Sequence, residues 1–74
     1  MGEIIIDPKI MHGKPVIKGT RVPVDVILGS LIGGMTYEEI EREYGVGKLD
    51  IIAAIKYAAR FVMGEEIHSL KTER

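Results

Sequence analysis

Seventy-four residues allow one domain, and ten Lys and Arg against eleven Asp and Glu leave a formal net charge of −1. Hydrophobic residues at 46% and charged residues at 28% describe a chain that folds rather than one that stays disordered. The absence of Cys excludes a disulfide framework and a thiolate metal site, and no apolar run approaches the ~18 residues of a membrane span. The opening Met-Gly-Glu-Ile-Ile-Ile-Asp has no basic residue and is not expected to be a secretory signal, so a cytoplasmic protein that does not enter membranes is expected.

In chain order, residues 3–6 (Glu-Ile-Ile-Ile) read as a short strand, because β-branched side chains favour a pleated surface. Asp7-Pro8 stops it, and Gly13 allows a sharp turn. Pro15-Val16-Ile17-Lys18 reads as a second strand, paired with the first as a hairpin or offered to another chain. Helix one is expected to start at Pro23, with Asp25 in its first turn and Gly33-Gly34 at its end; Val24, Ile27, Leu28, Leu31 and Ile32 share its apolar face. Helix two begins on a capping box, with Thr36 as cap and Glu39 reaching back, and Gly45 closes it after Tyr44. Helix three is expected from Lys48 or Leu49 to about Met63. Ile51, Ile55, Ala58 and Val62 form its expected central stripe, flanked by Ile52, Ala59, Ala54 and Phe61. Asp50, Ala53, Lys56, Tyr57 and Arg60 take the remaining face.

The resulting fold class is mainly α: a three-helix bundle with a helix-turn-helix, preceded by a short two-strand N-terminal segment. Residues 1–64 form the domain, and 65–74 a polar tail expected to fray. A chain this small buries only roughly 60% of its unfolded surface. The wide apolar arc of helix three is therefore expected to be a subunit contact in a homodimer.

The segment from Thr36 to Tyr57 carries the helix-turn-helix grammar. Ile40, Tyr44, Val46 and Ile51 or Ile52 are spaced to meet in the angle between the two helices. Read functionally, helix three enters a DNA major groove, with Lys48 and Asp50 toward base edges and Lys56 and Arg60 toward phosphates. Glu41 stands where a conventional unit has a small residue, and Glu38, Glu39, Glu41 and Glu43 would repel a polyanion unless turned away. The plainer reading is a packing scaffold.

The most basic stretch is Gly13-Lys14-Pro15-Val16-Ile17-Lys18-Gly19-Thr20-Arg21-Val22-Pro23-Val24. Arg21 either grips a phosphate or, as we favour, pairs with Asp7 or Asp25 and pins the strands to helix one, while Thr20 bonds the turn backbone. This run, the following helix, MTYEEIEREYGV and a helix containing AAIKYAA together resemble the family of small bacterial and archaeal proteins catalogued as domain of unknown function 433. The resemblance spans roughly residues 3–60. Gly13, Lys14, Pro15, Gly19, Thr20, Arg21 and Pro23 carry it. It implies a homeodomain-like helix-turn-helix and the role of antitoxin in a type II toxin–antitoxin pair, whose partner is a PIN-like ribonuclease; the helix-turn-helix grammar adds double-stranded operator DNA as a possible further partner. It implies no catalytic or ligand residues.

An enzyme is not expected. His12 and His68 lie far apart, Ser30 has no neighbouring base, and the four glutamates of helix two look like a solvated face, so no metal or cofactor is expected either. Tyr37, Tyr44 and Tyr57 are read as core-edge residues. Two binding hypotheses remain: the antitoxin, expected to engage its toxin through the N-terminal strands or through the tail from Glu65 to Arg74, a candidate for folding on its partner, and an interaction module of the same shape that ignores DNA.

Overall fold

A computed structural model describes residues 2–63; the expected polar tail lies outside the described residues. Two strands, β1 (Ile4–Ile6) and β2 (Pro15–Ile17), form an antiparallel sheet, and three helices follow: α1 (Val24–Ile32), α2 (Tyr37–Tyr44) and α3 (Lys48–Met63). Each strand is one residue shorter than its pattern suggested.

The register of the sheet explains where its proline sits. Ile4 faces Ile17, Ile5 faces Val16 and Ile6 faces Pro15. The Lys18 amide donates to the Glu3 carbonyl at 2.8 Å, which makes Glu3–Lys18 a hydrogen-bonded pair. Because such pairs alternate along an antiparallel ladder, Ile5–Val16 is hydrogen-bonded, whereas Ile4–Ile17 and Ile6–Pro15 are not. Pro15 therefore removes no ladder bond. The far side of β2 is also used: Val16 bridges Pro23, and the Ile17 amide donates to the Val22 carbonyl at 3.0 Å. Among the described residues no strand pairs with the outer edge of β1.

Helix boundaries follow local chemistry. Pro23, with φ −72° and ψ 151°, flanks α1 as its N-cap instead of occupying the first helical position. The end of α1 is a complete Schellman motif: the Gly34 amide donates to Leu31, the Met35 amide donates to Ser30, and Gly34 takes φ +97°. Thr36 and Glu39 form the reciprocal capping box of α2, at 3.1 and 2.8 Å, and Gly45 ends that helix at φ +70°.

Ile17, Val24, Ile27, Ile40, Val46, Ile51 and Ala54 make one buried cluster joining β2 to all three helices; Tyr37, Tyr44 and Tyr57 pack on its margin. Ile40, Val46 and Ile51 meet between α2 and α3, as their spacing predicted. The stripe expected on α3 is rotated. Ile51 is fully buried, but the core side continues through Ala54 to Tyr57, while Ile55 is 37% and Val62 84% exposed. Two physical reasons account for this. Apolar residues cover half of α3, so their periodicity defines no unique centre. The sixteen residues of α3 also run about 24 Å and outreach α1, whose nine run about 13 Å, leaving the last turns without a partner helix among the described residues.

This orientation sets a contrast in stability. Ile51→Ala removes a fully buried side chain and is expected to cost about 2–5 kcal/mol, whereas Val62→Ala is expected to stay within about 0.5 kcal/mol. Urea unfolding followed by circular dichroism measures both.

Candidate binding surface

The basic run from Gly13 to Val24 folds as a structural clasp. Met11 and His12 hold left-handed backbone, φ 50° and 57°, and Gly13 follows at φ 82°. Two consecutive non-glycine residues in that region cost about 1–2 kcal/mol each, and nothing in the sequence announced them. Gly19 takes φ 84°, and the Thr20 hydroxyl donates to the Ile17 carbonyl at 2.8 Å while accepting from the Val22 amide at 3.0 Å. Thr20 thus bonds the turn backbone as expected. The pairing expected for Arg21 is overturned. Lys14 Nζ, not Arg21, binds Asp25, at 3.0 Å, and Arg21 is exposed with no ion pair among the described residues. Asp25 lies in the first turn of α1, within reach of the strand start where Lys14 sits. Asp7 instead accepts from the Lys9 amide through its own side chain, at 2.9 Å.

Across the sheet Lys18 Nζ meets Glu3 Oε1 at 3.1 Å on an open surface. The hydrogen bond from Lys18, and then its charge, hold the Glu3 carboxyl below its ordinary range. A depressed value in the folded state means that this pair supports folding above the ordinary carboxylate range and is lost as acid protonates Glu3. Full exposure keeps the contribution small and salt-sensitive.

The first turn of α3 explains where Asp50 goes. Oδ2 accepts from the Gly47 amide at 2.9 Å, and Oδ1 accepts from the Gly2 amide at 2.9 Å. Gly47 and Asp50 thus stand at capping-box spacing, a signal already readable in Gly47-Lys48-Leu49-Asp50. Gly2 is the residue the sequence did not reveal. It takes φ +71°, and a Cβ there would stand 2.9 Å from the Leu49 carbonyl oxygen, so only glycine lets the chain lie this close to α3. Asp50 faces backbone rather than solvent, whereas Lys48 and Lys56 are exposed.

Lys56 and Arg60, one turn apart, share a face of α3. With Ala53, Tyr57, Gly2 and Ile4 they line an open cavity of about 250 Å³ between α3 and the β1 side of the molecule. Tyr57 forms its wall, and Phe61 packs edge-on against Tyr57 with ring centroids 4.9 Å apart. No described carboxylate pairs with either cation. The structure therefore brings Lys56 and Arg60 together, leaves Lys48 at the helix start, and uses Asp50 as a cap.

Among the described residues no group of three metal-capable side chains converges, and no helix is long and apolar enough to cross a membrane. The Ser30 hydroxyl donates to the Val26 carbonyl at 2.8 Å and lies 3.2 Å from the Tyr44 hydroxyl, tying α1 to α2. His68 lies outside the described residues. What this surface offers chemically is hydrogen bonding, charge and apolar contact.

Residues 4–58, from β1 into α3, match the family described as "Protein of unknown function (DUF433)". The chain belongs to this family. A stretch of 25 residues is 64% identical to an uncharacterized protein of Archaeoglobus fulgidus, covering 34% of this chain and 69% of that protein. A Mycobacterium tuberculosis protein named "Putative antitoxin VapB45" is 37% identical over 57 residues, 69% of this chain. The chain spans only 24% of that protein's length. No solved structure is a significant match.

Replacing Asp50 with Ala removes the acceptor of two backbone amides, and a cost of about 1–3 kcal/mol is expected. Asp50→Asn keeps one good acceptor and should lose roughly half as much. Urea midpoints read the stability, and faster hydrogen exchange at Gly2 and Gly47 reads the local effect.

Proposed function

We propose that this protein is a non-catalytic binding protein of the antitoxin type, acting by occluding a PIN-like ribonuclease toxin. The observation that carries the reading is the 37% identity to a protein named a putative antitoxin, over 69% of this chain. The surface supports it: a strand edge and a cation pair that have no partner among the described residues, with exposed apolar side chains on α3, suit adhesion to a macromolecule. In this reading the chain works as a homodimer, with the exposed Ile55 and Val62 side of α3 as a contact between copies.

Operator binding is a second reading, favoured by one specific feature. The capped α2, the turn from Gly45 to Gly47 and α3 follow one another as a helix-turn-helix does, and Lys48, Lys56 and Arg60 all stand on α3. Base or phosphate contact falls to those three. Asp50 is not part of the proposed contact set, because its carboxylate serves two backbone amides.

The test is the product of the adjacent gene: a growth-arresting PIN-like nuclease whose arrest is relieved by co-expression of this protein is expected, and a neighbour of another kind, or unrelieved arrest in the presence of folded protein, overturns the toxin reading. Fluorescence anisotropy with the upstream operator tests the second reading. Each of Lys48→Ala, Lys56→Ala and Arg60→Ala is expected to lower the slope of log affinity against log salt by about one. An absence of binding at low salt removes DNA from the account.

A further inference from the structure

β1 is an edge strand whose outward donors and acceptors are identifiable. Ile4 and Ile6 occupy the non-hydrogen-bonded positions of the β1–β2 ladder, so their amides and carbonyls point away from β2. No described residue pairs with them. The outward amide of Gly2, at the same alternate spacing, is the one taken, by Asp50. Gly2 meets Leu49 and Asp50 in the first turn of α3, and Ile4 shares the cavity with Ala53 and Tyr57 further along that helix. β1 and α3 therefore run in the same sense, with the open edge along one wall and Lys56 and Arg60 along the other.

We infer that this groove takes an extended, acidic segment of a partner protein as a third strand. Its backbone pairs with Ile4 and Ile6, and its carboxylates reach Lys56 and Arg60. Strand addition on an exposed edge draws affinity from main-chain hydrogen bonds and specificity from alternate side chains. Spacing and charge both favour an acidic occupant. Side chains on one face of a strand recur about every 6.7 Å, and four residues of helix advance about 6 Å, so a Glu-x-Glu repeat matches Lys56 and Arg60. Neither cation has a carboxylate partner among the described residues. A second copy of β1 carries no carboxylate between Ile4 and Ile6, and the two at its ends already have partners, Glu3 in Lys18 and Asp7 in the Lys9 amide. The inference rests on the reading of the chain as a binding protein and specifies the segment that reading leaves open.

The probe is an acetylated, amidated peptide, Thr-Val-Glu-Val-Glu-Val-Thr, titrated into the isotope-labelled full chain and followed by backbone amide resonances. The expected result is saturable shifts at Ile4, Ile6, Ala53 and Tyr57. Binding should be about tenfold or more tighter than for the peptide with Lys in place of both Glu. Ile6→Pro removes only an outward amide, opposite Pro15, so it should abolish the shifts while the circular dichroism spectrum stays native. Lys56→Glu combined with Arg60→Glu should reverse the preference toward the Lys peptide. The inference is overturned if no β1 or α3 amide moves at millimolar peptide, or if Glu and Lys peptides bind alike. It is equally overturned if the same amides move with protein concentration alone, or if random-sequence duplex DNA moves them and the peptide does not. A chain that neutralises the nuclease yet ignores the peptide keeps the antitoxin reading and loses this one.

Discussion

One carboxylate ties the amino terminus of this molecule to its longest helix. Asp50 closes the start of α3 through Gly47 and, with its other oxygen, draws the Gly2 amide onto the same turn. The two contacts differ in kind. The first is local, three residues apart, and stabilises a helix end that would otherwise expose free amides. The second spans 48 residues and fixes where the amino-terminal strand lies. Because Gly2 has no Cβ, the strand approaches the α3 backbone closely, and this placement creates a groove between a strand edge and a helix.

The rest of the core accommodates that arrangement economically. No polar side chain is buried among the described residues, so the interior is held by shape and apolar contact alone. Ile17, Ile27, Ile40 and Ile51, all fully buried, come one each from β2, α1, α2 and α3. Each contributes on the order of 1.5–3 kcal/mol of burial, so every one of these elements is tied to the same core. Polar chemistry is pushed to the joints, where capping boxes, a Schellman turn and the Thr20 clasp satisfy backbone groups that packing cannot.

Local signals were legible and non-local ones were not. The Thr36–Glu39 box, the αL glycine at 45 and the paired glycines at 33 and 34 depend only on neighbouring residues, and the helices begin and end where those residues dictate. The face of α3 was not readable in this way. With apolar side chains over half the circumference, only the contacts with α1, α2 and β1 choose Ala54 and Tyr57 over Ile55 and Val62. Arg21 failed for a related reason: Asp25 has three basic candidates nearby in sequence, Lys14, Lys18 and Arg21, and three-dimensional reach selects Lys14. Tyr57 lies at the core edge as read from the sequence, but its place in the groove, like that of Gly2, depends on how β1 sits against α3. The Gly47–Asp50 cap had a signature in the sequence, but its second bond, to Gly2, had none.

Exposed edge strands usually carry a penalty, because unpaired amides and carbonyls invite other chains. β1 is three residues long and flanked by the Asp7-Pro8 stop, which limits indiscriminate pairing. Its Ile-Ile-Ile sequence nonetheless gives it high strand propensity, and Lys56 and Arg60 stand beside the open edge. Cations in that position select among possible strands. A basic or neutral segment gains only backbone bonds, while an acidic one also gains two charge-assisted contacts. The same pair therefore discourages promiscuous edge pairing and admits one chemistry. That combination is what a small protein with little core to spare needs if its work is to hold a partner and not to transform a substrate.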